Sequence, residues 1–261
     1  MATFIDQTGK SIALDKTPER IISLVPSQSE FLWDLDLKEE LIGITKFCIH
    51  PEELFRNKER IGGTKKLNIE KIRTLKPDLI IGNKEENEKL QIEILQKEFN
   101  VWMSDIYNFE DAFEMMKFIG EMTGKSLDAG KIINQIKKQL SSIKNIFNNQ
   151  KVIYFIWNDP YMITGKNTFI NCVLNYCGFV NGAGDLERYP EVSNEQLKEI
   201  KPEYCFLSSE PFPFKIKHVQ EIQKILPETK IIIVDGEMFS WYGSRLIKLP
   251  AYIKQLKEQI K

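Results

Sequence analysis

Cys48 and His50 are the pair in this chain whose types and spacing most invite chemistry. A thiolate and an imidazole two residues apart can ligate a metal or share a proton in nucleophilic catalysis. As alternating residues of an extended segment they would share a face. Two ligands do not complete a tetrahedral site, however. The spacings among Cys48, Cys172, Cys177 and Cys205 match neither a zinc pattern nor a CxxC redox pair. The other histidine, His218, lies in the mostly polar run 215–220 and reads as a solvated helix residue. Nucleophile-elbow, GxGxxG and Walker patterns are absent. Cys205 falls inside an apolar strand, where a buried thiol is the ordinary reading.

The elements that position such residues alternate between apolar strands and helices, which implies parallel sheets covered on both faces. Ligands of such sheets bind outside the carboxyl ends of the strands. The residues that follow each strand are therefore the candidates: Ser27, Gln28 and Ser29 after 20–25, and Phe47, Cys48 and His50 after 41–44. Asn83 and Lys84 follow 79–82, Asp105 and Tyr107 follow 101–104, and Trp157 and Asn158 close 152–157. Ser208, Ser209 and Glu210 close 204–208, and Phe239, Trp241 and Tyr242 follow 231–235. Three aromatics in the loop 238–243 suit a flat apolar ligand with polar edges, or else pack under the last helix. Ser27 and Glu30 read as a capping box for a helix over 28–35.

The stretch 126–150 reads as one long helix. Leu127, Ile132, Ile133, Ile136, Leu140, Ile143 and Ile146 form an apolar stripe, with Ser126 as N-cap and Asp128 in the first turn. Such a rod spans roughly 33 Å. An echo flanks it: residues 69–78 (IEKIRTLKPD) align without gaps on 194–203 (NEQLKEIKPE), 125 positions later. Each copy has a Glu near the start of a short helix, Lys-Pro after it, an acid and then an apolar strand. This predicts a duplicated α/β architecture: an N-terminal lobe with a hairpin over 1–125, a backbone helix over 126–150 and a second lobe over 151–261.

Hydrophobic residues make up 42% and charged ones 28% of the chain, which are globular values. The net charge of −1 argues against nucleic acid or an anionic membrane as partner. No apolar run reaches transmembrane length. The first residues, MATFIDQTGK, lack the pattern of a secretory leader, so the sequence reads as cytoplasmic if Met1 is the native start.

The ordered motifs RIISLVPSQSE (20–30), IGGT (61–64), NIEKIRTLKPDLII (68–81), ITGK (163–166) and YPEVSNEQL (189–197) resemble the helical-backbone substrate-binding proteins of ABC importers. Within that family they are most similar to its cobalamin-binding members. The resemblance implies two Rossmann-like lobes joined by one long helix, a ligand held between them, no catalytic activity and a monomer in the periplasm or cell envelope. The ligand would be cobalamin, haem or a ferric siderophore, and no intrinsic cofactor is implied. Phe47, Thr64, Asn83 and Tyr189 stand at the family's aromatic clasp positions, and Trp157, Phe239, Trp241 and Tyr242 supply aromatics from the second half. Glu70 and Glu195 match the glutamates that dock on the transporter's membrane subunits; without the resemblance they are helix-start carboxylates favoured by the dipole. Cys177 matches one partner of a disulfide whose other position falls near Lys254, so that bridge is lost. Two further readings remain: a cytoplasmic corrinoid or tetrapyrrole carrier without a transporter, and an enzyme using Cys48 and His50.

Overall fold

Alternating apolar residues around the turn at Gly9 form an antiparallel hairpin, β1 (Ala2–Ile5) and β2 (Ser11–Leu14), with Ala2 opposite Leu14. The computed structural model describes residues 1–260, and the chain forms two α/β units. Unit 1 comprises Met1–Ile106, Glu110–Ile136 and the tetrapeptide Tyr242–Arg245. Unit 2 comprises Tyr107–Phe109, Lys137–Trp241 and the chain from Leu246 onward.

After the hairpin, unit 1 runs β3 (Ile21–Ser23), α1 (Pro26–Asp34), β4 (Leu41–Ile44), α2 (Glu52–Asn57) and β5 (Glu59–Arg60). A small hairpin, β6 (Gly62–Gly63) and β7 (Lys66–Leu67), leads to α3 (Ile69–Leu75), β8 (Leu79–Asn83), α4 (Lys89–Leu95) and β9 (Val101–Ser104). The helices α5 (Phe109–Met122) and α6 (Ser126–Leu140) follow. The sheet is parallel throughout, in the order β5-β4-β3-β8-β9. The strand order reverses at β3, so the topological switch point lies at the carboxyl ends of β3 and β8. Ile22, Leu24, Ile61, Ile72, Ile80 and Leu95 form part of its core.

Unit 2 runs β10 (Lys151–Asn158), β11 (Tyr161–Ile163), α7 (Phe169–Cys177), β12 (Val180–Asn181), α8 (Asn194–Ile200) and β13 (Tyr204–Ser208). It ends with α9 (Ile216–Ile225), β14 (Lys230–Val234), α10 (Gly236–Ser240) and α11 (Leu249–Ile260). The sheet order is β11-β10-β13-β14, with β10, β13 and β14 parallel, β11 antiparallel at one edge and β12 beside the start of β10. Ile153, Phe155, Leu197, Cys205 and Leu207 are central to its core, so Cys205 is the buried thiol expected of it. Pro250 is the second residue of α11 and marks its start, where a missing N–H costs nothing.

The echo has a matching backbone. Both α3 and α8 have seven residues, and an N-cap side chain, Asn68 or Ser193, accepts from the N–H three residues on. Both end on a lysine, Lys76 or Lys201, with φ 48° and ψ 61°. Left-handed geometry is uncommon for lysine, so its recurrence at both copies supports duplication.

Four expectations are corrected. The long helix ends at Leu140 rather than near Asn148, followed by a 3₁₀ turn over Ser141–Ile143. The Ser141 and Ser142 hydroxyls bond back to the Lys138 and Gln139 carbonyls, and Asn145 and Asn149 take positive φ. Leu127 is 82% exposed and lies off the buried stripe. The Ser27–Glu30 capping box is absent: Pro26 opens α1 with no side-chain cap, and Glu30 pairs with Arg245. Residues 238–240 are helical, within α10, rather than loop.

Candidate functional site

In unit 1 the strand ends carry buried uncharged polar side chains, with the ion pair of Lys84 and Asp105 at 2.6 Å directly after β8 and β9. Buried Gln28 donates from Nε2 to Ser104 Oγ at 2.6 Å and to the Gly82 carbonyl at 3.3 Å. Asn83 Nδ2 donates to the same hydroxyl at 3.0 Å, while its Oδ1 accepts the N–H groups of Glu85 and Glu86. Asn87 links three segments: its Oδ1 accepts from Asn83 N, and its Nδ2 donates to the Leu24 and Thr64 carbonyls. Burial pushes the hydroxyl of Tyr242 well up, and the Glu86 and Glu85 carboxylates add to the rise. Gln28 and Asn83 are thus fixed by hydrogen bonds at the switch point, and the hydroxyls of Ser27 and Tyr242 are buried in the same unit.

Phe47, in the same unit, is 49% exposed. Its ring rests on Gly63, where an added Cβ would stand 3.1 Å from the ring, and Lys46 Nζ lies 5.0 Å from its centroid. Half-buried Thr64 adjoins it.

Cys48 is corrected as a ligand or nucleophile. Its sulfur is buried between the hydroxyls of Ser29 at 3.1 Å and Thr45 at 3.2 Å. Burial pushes the thiol up to about 11, so it stays protonated near neutral pH. The backbone is also turned rather than extended here, Cys48 N donating to the Thr45 carbonyl, so Cys48 and half-exposed His50 do not share a strand face. Among the described residues no three His, Cys, Asp or Glu side chains converge as a metal-ion set. His218 is buried, not solvated: Nδ1 accepts from Lys215 N at 2.8 Å and the ring meets Phe212 and Phe214 edge-on.

In unit 2 the strand ends carry aromatics. The pairing of β10 with β11 slips between Phe155 and Trp157, and this bulge re-aims the strand's end. Trp157 emerges 40% exposed, its ring edge-to-face with Phe212 at 5.6 Å. Phe212 sits in the loop after β13, and sequence reasoning passed over it; the run Pro211-Phe212-Pro213-Phe214 directly after a strand was the available signal. Tyr189 is half-buried, with the Arg188 guanidinium 6.0 Å from its ring centroid.

The loop expected to present three aromatics does not do so. Phe239 is fully buried in the core against Tyr154, Phe206 and Tyr252, which removes it from any ligand surface. Trp241 is buried, and its Nε1 donates to Glu210 Oε1 at 2.8 Å beside the Ser240 hydroxyl at 2.9 Å. Burial, with Glu237 and Asp235 nearby, pushes the Glu210 carboxyl up despite those two hydrogen bonds. Glu70 and Glu195 lie exposed in the first turns of α3 and α8; Glu70 pairs with Arg73, and Glu195 is held below the usual carboxylate range by its own N–H and by Ser193.

Two α/β units with polar and aromatic residues at the carboxyl ends of their parallel strands define a binding protein of the periplasmic type. The chain belongs to the periplasmic binding protein family, whose model matches residues 21–226. It is 27% identical, over 99% of its own length and 85% of the relative's, to the uncharacterized ABC transporter substrate-binding lipoprotein YvrC of Bacillus subtilis. It is 27% identical to the vitamin B12-binding protein of Vibrio cholerae over 79% of this chain and 76% of that one. Its fold is shared with the heme-binding protein RhuT of Roseiflexus sp. RS-1 (TM-score 0.80, 18% identity, 93% and 98% of the two chains). The same holds for the vitamin B12 binding protein BtuF of Vibrio cholerae (TM-score 0.74, 21% identity, 94% and 98%).

Proposed function

We propose that this protein is the substrate-binding component of an ABC importer, working in the periplasm or at the cell envelope, and that it captures a metal chelate without turning it over. The chelate is a cobalamin-like corrinoid, haem or a ferric siderophore. The observation that carries this reading is Trp157: a large aromatic raised by a bulge at a strand's carboxyl end, braced by Phe212 and left 40% exposed. Aromatic surface of that kind is costly to leave in water and suits the face of a conjugated macrocycle. The names of its relatives point to the same ligands. Within unit 2 Tyr189 adds half-buried aromatic surface; within unit 1 Phe47 is half-exposed, and Gln28 and Asn83 are hydrogen-bonded to Ser104.

Tryptophan quenching on titration with cyanocobalamin, haemin and a ferric hydroxamate tests the reading. Quenching by at least one probe, weakened in Trp157→Leu, is expected; absence of quenching by all three overturns it. Glu70 and Glu195, presented by two helices of like geometry, are the proposed contacts to the membrane subunits. Reversing both to arginine should abolish uptake while ligand affinity stays unchanged.

A further inference from the structure

We propose that Glu210 is the positioning residue of the aromatic ligand surface: it fastens the loop after β13 so that Phe212 stands against Trp157. The inference rests on the chelate reading above, in which Trp157 meets the ligand. The Trp157 indole is held at one corner, where Nε1 donates to the Asp159 carbonyl at 3.0 Å. Its ring leans on Phe212, edge-to-face at 5.6 Å. Phe212 in turn meets the rings of Phe214 at 4.8 Å and His218 at 5.1 Å, both of them buried. The half-buried Phe212 therefore links the interior of unit 2 to the exposed indole, and its placement sets how Trp157 is presented.

That placement is decided at the start of the loop. Ser209 N donates to the Val234 carbonyl at 3.0 Å, which extends the pairing of β13 with β14 by one residue. The Ser209 hydroxyl accepts from Gly236 N, at the start of α10, at 2.9 Å. Glu210 then reaches the other end of α10. Its Oε1 accepts from Trp241 Nε1 at 2.8 Å and from the Ser240 hydroxyl at 2.9 Å, the latter shared with the Gly236 carbonyl at 3.0 Å. Gly236 lies against this loop with no room for a side chain: an added Cβ would stand 2.3 Å from Ser208 Oγ and 2.7 Å from Glu210 Cγ. Two consecutive residues are thus tied to the two ends of α10, and Phe212 comes two positions later. Pro211 and Pro213 fix φ on either side of it, which makes the connection a short, stiff one. A loop that only joined β13 to α9 would have no need of a half-buried carboxylate, which costs free energy to take out of water.

The test compares the wild type with Glu210→Met, Glu210→Gln, Phe212→Leu and the double variant Glu210→Met/Phe212→Leu, each established as folded by circular dichroism and melting. In protein labelled with fluorotryptophan, the Trp157 resonance is assigned by its loss in Trp157→Leu. Without ligand, Glu210→Met should displace that resonance, and Glu210→Gln, which keeps an oxygen for both donors, should leave it at the wild-type position. Glu210→Asp, whose carboxylate falls one methylene short, should displace it in the same direction and serves if Glu210→Met does not fold. Affinity is then read by tryptophan quenching with whichever of cyanocobalamin, haemin and a ferric hydroxamate the wild type binds. Glu210→Met should weaken binding about three- to tenfold, the worth of an aromatic contact, and Glu210→Gln should bind as the wild type does. Because Glu210 acts through Phe212, the double variant should bind no more weakly than Phe212→Leu alone. A Trp157 resonance unmoved by the loss of the carboxylate, an equal displacement in Glu210→Gln, or losses that add in the double variant overturn the inference while the chelate reading stands. A wild type that binds none of the three probes overturns the chelate reading and, with it, this role of Glu210.

Discussion

Arg245 and Glu30 form a buried, two-pronged ion pair: Nε donates to Oε2 at 2.7 Å and Nη2 to Oε1 at 3.0 Å, with side chains only 5% and 6% exposed. At such a separation and an effective dielectric of about 20, the attraction is about 6 kcal/mol, offset in part by the cost of taking both charges out of water. Removing one partner takes from the other buried charge the two-pronged contact that offsets its desolvation. Arg245→Met or Glu30→Met alone should therefore cost about 3–5 kcal/mol. At about 2–4 °C per kcal/mol for a chain of this size, the melting point falls by about 6–20 °C. The double variant removes both charges and should recover most of that loss, since hydrophobic replacement of a buried pair is often neutral. Urea unfolding of the four proteins, arranged as a double-mutant cycle, reads the coupling. Trp33 and Trp102 report on unit 1, where the pair lies, and Trp157 and Trp241 on unit 2. Single variants that cost under about 1 kcal/mol, or a double variant as unstable as the sum of the singles, would refute the reasoning.

Three other outcomes follow from the geometry. Glu210 holds its proton more tightly when folded than the ordinary carboxyl at 4.5, so its contribution to stability is full at acid pH and is lost as pH rises through its folded value. Glu210→Gln should then gain stability relative to wild type from pH 4 toward pH 7, and urea midpoints that stay parallel across that range would count against it. Cys172 is half-exposed while Cys48, Cys177 and Cys205 are buried with raised thiols, so a thiol reagent at pH 8 should titrate one group rapidly in the native protein and four in guanidinium. Gly165→Ala places a Cβ 2.2 Å from the Leu186 carbonyl oxygen, a backbone atom that cannot swing aside. It should cost about 1–3 kcal/mol in thermal or chemical unfolding.

The sequence was most legible where local chemistry decides the structure. The bounds of α3, α8, β9 and α5 follow from cap residues, Lys-Pro joints and apolar runs, signals contained within a few positions. It was least legible where a partner lies far away. Glu30 fits a capping box by spacing, yet it answers to Arg245, 215 residues on. The apolar period runs past Leu140 through Ile143 and Ile146, and nothing in periodicity shows that two serine hydroxyls and two left-handed asparagines end the helix first. Phe239 and Trp157 look alike as aromatics near strand ends. One fills a core and the other faces outward because of a bulge, a register detail that composition does not encode. His218 sits among polar residues in sequence but between two phenylalanines in space.

The membership of Tyr242–Arg245 in unit 1 sets a timetable for biosynthesis. Most of unit 1 precedes residue 137, so a ribosome delivers its sheet and helices early. Glu30 then waits for an arginine that is 215 residues downstream, about 10–40 s at ordinary elongation rates. Throughout that interval the first unit is an unfinished intermediate, carrying a carboxylate in what will become a sealed interior. Vectorial folding from the N-terminus therefore cannot form this pair until the intervening residues of unit 2 have been made.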